Sequence, residues 1–341
     1  MKRSKLLSVM ALGALLFGLS ANDASAEMTL QTKNQTYVLA TQDVNTAVYS
    51  RVSAFLEVLG GKLGSNTINV QPISTGGAAS ALLIEKGQVK IGTGSNIPVK
   101  KLAEGTYDKN FKPLTKVAAL FGGSDITWCT VMFTDDFVKK TGFTTLEEVI
   151  AAKYPVRIVT KAKGSFGMDG ATDMLDCMGV TWKDIESWGG SHTHIAPATM
   201  ADMLKEGQAD VSMDVVSIGQ AAFSELCLTS TMHVVQLSEK TRAAMNKKGY
   251  ANMTMPANSW NGQDKPIETV VGCECILVSK DLPEDIAYII TKTICENKEK
   301  LTSIVPAMRY FQPEKAWDPL YCGIELHPGA AKYFREAGFM K

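Results

Sequence analysis

The sequence of 341 residues has no cysteine before Cys129, no C-x-x-C pair and only four histidines. Without an early cysteine there is no lipid-modified N-terminus, and without paired C-x-x-C there is no thioredoxin-type or zinc-ribbon site. No loop ends in Gly-Lys-Ser/Thr, which excludes a Walker-type phosphate cradle. G-x-S-x-G and H-E-x-x-H are also missing, which removes the local signs of a serine hydrolase or zinc protease, although spatial triads leave no such trace. Neither sign of charge is in excess, with 35 basic and 35 acidic residues. A balanced chain has no electrostatic reason to take nucleic acid or anionic lipid as a partner. No cofactor or metal is expected.

One long apolar run is present, Leu6 to Leu19, behind Lys2, Arg3 and Lys5 and ahead of Ala24-Ser25-Ala26. It is shorter than the roughly 20 residues that span a bilayer and has the form of a signal peptide, residues 1–26, with cleavage before Glu27. Export to the periplasm is therefore expected. The remaining portion of about 315 residues exceeds what one core usually supports, so two lobes are expected. An oxidising compartment permits disulfides, but seven cysteines leave at least one unpaired. Cys273 and Cys275 sit in an apolar strand and read as small buried hydrophobes.

The order of elements repeats. Strand Val38–Ala40 leads through the polar loop Thr41–Asn45 to a helix from Thr46 to Leu59. Strand Ile68–Ile73 enters Ser74-Thr75-Gly76-Gly77 and a helix from Ala78 to Lys86. Strand Val89–Thr93 then leads into Gly94-Ser95-Asn96. Farther on, strand Val156–Thr160, loop Lys161–Gly167, helix Asp169–Met178, helix Ala198–Glu206 and strand Ala209–Met213 follow the same order. Glycine just past a helix marks its end, and strands alternating with helices predict parallel sheets. Apolar strands Thr127–Phe133 and Val270–Ser279 are placed to cross between the lobes. That makes lobe one residues 27–126 plus 270–341, and lobe two residues 127–269.

Ligands of open α/β sheets bind beyond the carboxyl ends of the strands. Those loops hold Thr41, Asn45, Tyr49, Thr75, Gly76, Gly77, Ser95 and Asn96 in lobe one, and Lys163, Ser165, Phe166, Asp214 and Ser217 in lobe two. Free N–H groups at helix starts attract a carboxylate. Lys161 and Lys163 can meet an acidic ligand or stay solvated. Asp43 or Asp214 can receive a ligand ammonium or cap the following helix. His192-Thr193-His194 lacks a third ligand and reads as a loop or helix start.

Four strings carry a resemblance: Ser74 to Gly77, Leu204 to Asp210, Asp281 to Tyr288, and Leu326 to Gly338. Together the sequence resembles the TAXI solute-binding proteins, the receptors of one class of TRAP transporter. The resemblance implies a two-lobed α/β fold, the type II periplasmic-binding-protein clamshell, with lobes joined by two crossing strands. It also implies a monomeric, non-enzymatic receptor for a small organic acid, an amino acid such as glutamate or a keto or dicarboxylic acid. The implied partners are the membrane subunits of a sodium-coupled TRAP transporter. The chain departs from the family's pattern at the pocket: Ala78 and Ala81 replace polar residues, Phe166 stands where close backbone approach is usual, and Gln220 replaces a proline. A ligand-sensing module for a signalling receptor, an enzyme and a scaffold stay open as alternatives.

Overall fold

The computed structural model describes residues 27–42, 44, 46–73, 78–107, 110–163 and 165–341. The leader, Asp43, Asn45, Ser74–Gly77 and Gly164 lie outside the described residues. The strands are β1 (Thr36–Thr41), β2 (Thr67–Pro72), β3 (Ile91–Ser95), β4 (Val117–Thr134), β5 (Arg157–Lys161), β6 (Ser191–Ile195), β7 (Val211–Val216), β8 (Met232–Val235), β9 (Ala251–Met255) and β10 (Ile267–Ser279). The helices that concern the site are α1 (Ala47–Leu59), α2 (Ala79–Glu85), α3 (Asn96–Ala103), α4 (Asp135–Thr141), α5 (Leu146–Ala151) and α6 (Phe166–Cys177).

Among the described residues the strands run β2-β1-β3-β10-β4-β7-β5-β6, with β8 on β4 and β9 on β10. β1 lies parallel between β2 and β3, and β5 lies parallel between β6 and β7. In each half the first strand is central, the second outer and the third inner, so the repeat read from the sequence is a repeat of topology. β4 and β10 join the halves. β10 pairs with β3 through Glu274–Val278 and with β9 through Ile267–Val271. β4 pairs with β10 along its first part and with β7 and β8 along its last. The expected crossing strand Thr127–Phe133 is thus only the distal part of an 18-residue strand. A break in its register with β10 falls at Gly122–Asp125, where the glycines interrupt the apolar run.

Each half has its own core. In the first, Val52, Phe55 and Val58 of α1 meet Phe121 of β4 and Ile286, Ile290 and Ile294 of the helix Glu284–Glu296. Phe55 and Phe121 contact edge to face at 5.9 Å. Val99 and Leu102 of α3 join a second cluster of that half with Ala119 and Leu277. In the other half, Phe133 packs edge to face on Phe137 at 5.2 Å, beside Met174, Val211 and Met213. Caps set the helix boundaries: Thr145 and Glu148 form a capping box on α5, and Thr46 and Ser165 cap α1 and α6. The Ser165 cap starts α6 at Phe166, three residues earlier than the periodicity suggested. All seven cysteines carry free thiols, and six of them are buried.

Candidate functional site

The carboxyl ends of the parallel strands and the crossing strands enclose a cleft of about 670 Å³. Its floor is built from three charged groups on three elements. Asp125 of β4 and Glu274 of β10 are register partners, directly opposite each other across the ladder. Like charges so placed repel. Arg51, on the buried face of α1, bridges them: Nη2 lies 2.9 Å from Asp125 Oδ2 and 2.8 Å from Glu274 Oε2. Ser217 Oγ donates to the same Asp125 oxygen at 2.9 Å.

All three groups are more than nine-tenths buried, so their charges interact strongly. Burial works against the Arg51 charge, but Asp125 and then Glu274 outweigh it and hold the guanidinium above its ordinary pKa. Burial pushes the Glu274 carboxyl up, with Arg51 opposing and Asp125 adding to the rise. One guanidinium against two carboxylates leaves the floor one positive charge short. Neutrality needs either a proton or a cation from the ligand.

The facing wall is the start of α6. Ser165 Oγ accepts from Met168 N and donates to the Ala162 carbonyl, so its hydroxyl is committed to the cap. The first N–H groups of any helix, here those of Phe166 and Gly167, have no intrahelical partner. Phe166 and Gly167 line the cleft, as does the exposed Lys163. With the helix dipole, such a terminus favours an anion. The Phe166 ring closes one side, and Ser95, Thr46 and Thr127 add hydroxyls.

Of the residues singled out from the sequence, the structure brings Ser95, Lys163, Ser165, Phe166 and Ser217 to this cleft. Others lie off it. Thr41 is fully buried beside Thr93, and Tyr49 is half-buried on α1 away from the lining. Asn96 is a structural clip: its Nδ2 donates to Leu320 O at 2.6 Å and its Oδ1 accepts from Cys273 N at 2.8 Å. Asp214 is not placed to receive a ligand ammonium. It is 1% exposed, and Lys161 Nζ pairs with it at 3.1 Å. Asn45, Thr75, Gly76 and Gly77 lie outside the described residues.

The sequence reading missed Arg51, Asp125 and Glu274. Their signal was present: Arg51 stands on the apolar stripe Val48, Val52, Phe55, and Asp125 and Glu274 each break an apolar strand. The His192–His194 pair lies in β6, not in a loop or helix start, hydrogen-bonded ring to ring at 2.8 Å, with Trp182 tilted against His192 and edge-on to His194. No group of three potential metal ligands occurs among the described residues.

The sequence matches the description of one family over residues 39–338. The chain belongs to the NMT1-like family. Solved structures similar to this NMT1-like protein include MatC of Rhodopseudomonas palustris with bound malate. It is 11% identical over 90% of this chain and 99% of that one, with a TM-score of 0.52. A TctC solute-binding protein from Polaromonas is 14% identical over 89% of this chain and 96% of its own, with a TM-score of 0.50. An R. palustris protein with adipate is 10% identical over 89% and 97%, with a TM-score of 0.50. At such identities the likeness shows the fold, the two-lobed periplasmic-binding-protein architecture expected from the sequence. No helix among the described residues is long and apolar enough to cross a membrane.

Proposed function

We propose that this NMT1-like protein is a periplasmic solute-binding receptor for a small amino-bearing organic acid, an amino acid such as glutamate. The observation that carries the reading is the polarity of the cleft. Across it an anion seat, the α6 N-terminus with Lys163, faces a floor whose Asp125 and Glu274 outnumber Arg51. A ligand with a carboxylate at one end and an ammonium at the other satisfies both. A keto or dicarboxylic acid must instead leave a proton on the floor, and the raised Glu274 pKa favours that form.

Lobe one, residues 27–126 plus 270–341, and lobe two, residues 127–269, close on the ligand about β4 and β10. A ligand that touches both lobes shifts the population toward the closed form. That form, as a monomer, is what the membrane subunits of a sodium-coupled TRAP transporter recognise. The similarity of the strings Leu204 to Asp210 and Leu326 to Gly338 to TAXI receptors supports this last step, as does the cleavable leader read at residues 1–26.

A thermal-shift panel at pH 7.5 tests the ligand class, with L-glutamate, L-glutamine, 2-oxoglutarate, malate and adipate as probes. A ligand at 100 times its Kd stabilises by about 2.7 kcal/mol, which such a panel resolves. Stabilisation by the amino acids above their deaminated analogues is expected. Stabilisation by malate or adipate alone would overturn the ammonium assignment, and no response to any acid would overturn the receptor reading.

A further inference from the structure

Ile97 of α3 belongs to the core of the second half, together with Tyr250, Val270 and Met174, whereas Val99 and Leu102 of the same helix belong to the first. One short helix is therefore shared between two cores. Its outer side is tied to α6 by a second contact. Lys101 Nζ reaches both carboxylate oxygens of Asp173, at 2.8 and 3.0 Å. Asp173 is 4% exposed and accepts a further hydrogen bond from the Tyr250 hydroxyl at 2.9 Å. Lys248 approaches it at 3.3 Å while also pairing with Asp176 at 2.6 Å. Between Lys248 and Tyr250, Gly249 lies against Lys100 and Ile97. Residues 248–250 thus hold α3 and α6 together at one point.

That point connects to the cleft. The Tyr250 ring stacks on Phe166, with centroids 6.2 Å apart and planes 11° from parallel. The Phe166 ring also lies on Gly272 of the crossing strand β10, so close that a Cβ there would meet Cζ at 2.2 Å. Phe166 and Asp173 are two turns apart on α6, about 10 Å along its axis. One unbroken series of contacts therefore runs from the cleft wall through Phe166, Tyr250 and Asp173 to Lys101 of the other half.

We propose that Tyr250 and the Lys101–Asp173 ion pair form a coupler that holds the angle between the lobes and links it to the ligand seat at Phe166. Only the link to a ligand rests on the receptor reading above; the hold on the lobe angle is a property of the empty protein. Tyr250 is a positioning residue here: it reaches the cleft only through the Phe166 ring. A ligand that moves that ring acts on Asp173 through the Tyr250 hydroxyl. The ion pair then opens or tightens as the lobes turn.

The test measures lobe separation directly in the ligand-free protein. Donor and acceptor dyes are placed through unnatural amino acids at the exposed positions Lys62 and Lys183, one in each half, and read by single-molecule energy transfer. The distribution of separations is expected to be at least twofold wider in Lys101→Met and in Tyr250→Phe, and to return to its original width in Lys101→Arg. A wild-type width in folded Lys101→Met would overturn the proposal. Should Lys101→Met fail to fold, Lys101→Gln and Tyr250→Phe decide by the same criterion. L-Glutamate is then titrated into the unmodified sequence. A missing response counts against the proposed ligand and leaves the comparison of widths intact.

Discussion

Gly167 of α6 lies so close to Asp214 of β7 that a Cβ at position 167 would sit 2.1 Å from Asp214 Oδ1. The missing side chain serves packing between helix and strand, while the Gly167 backbone stays at the cleft. Three residues on, Gly170 meets Val215 in the same way, with a Cβ 2.1 Å from Cγ2. The two positions share a helix face and let the start of α6 lie flat on β7. They bring the N-terminus of α6 to the cleft wall.

Gly167→Ala is expected to destabilise the protein by about 1–3 kcal/mol, the usual cost of overpacking. Helix propensity alone predicts the opposite sign, a gain of up to about 1 kcal/mol. Urea denaturation separates the two, and a more stable alanine variant would mean that the contact with Asp214 relaxes freely.

Asp214 should make stability depend on pH. Burial pushes its carboxyl up to about 6, against the pull of Lys161 and the Val215 N–H. An unfolded aspartate titrates near 3.9, so between those values the folded state holds the extra proton. The contribution is complete below pH 4 and is lost as pH rises through 6, a change on the order of 3 kcal/mol. Asp214→Asn cannot titrate, so its stability relative to wild type should climb by that order between pH 4 and pH 7.5. Denaturation curves at the two pH values check this; a constant difference would mean that Asp214 is charged throughout.

Removing Arg51 leaves Asp125 and Glu274 buried and facing each other. Arg51→Met is expected to cost about 3–5 kcal/mol at neutral pH, as when one partner of a buried pair is lost. Glu274→Gln in the same background should recover part of the loss by taking away the repulsion. Additive effects of the two substitutions would show that the three groups do not act as a unit.

Asn96 gives a contrasting expectation. Asn96→Ala leaves the buried Cys273 N–H without its partner, at about 1–3 kcal/mol, and frees the Leu320 carbonyl of an exposed residue at less cost. Because the side chain stays off the cleft, the thermal shift produced by a bound acid should be unchanged. A lost shift with unaltered stability would return Asn96 to the site.

The repeated α/β unit was legible because its signals are local: apolar strands, capping residues and glycine stops such as Gly87 and Gly207 depend on near neighbours in the chain. Helix α1 and strands β1, β2 and β7 lie within a few residues of their expected positions for that reason. Ser165 and Phe166 were legible as cleft-lining residues because the strand-loop-helix order places them at the carboxyl end of β5. The full length of β4 was not, since Gly122 and Gly123 interrupt its apolar run and pairing with β10 carries the strand past them.

By itself the sequence determined the fold class, the doubled topology and the side of the sheets on which a cleft forms, all consequences of local propensity and hydrophobic period. Tertiary structure alone decided which polar groups enter that cleft. Arg51 and Glu274 are 223 positions apart and meet only when the first helix packs over the crossing strands. Asp214 in β7 and Asn96 at the start of α3 are next in the chain to the lining residues Val215 and Ser95, yet the surrounding packing turns Asp214 toward Lys161 and Asn96 toward the backbone of β10. A charge inside an apolar run marks such a site, but its partner is set by three-dimensional proximity, which the period of a strand or helix does not encode.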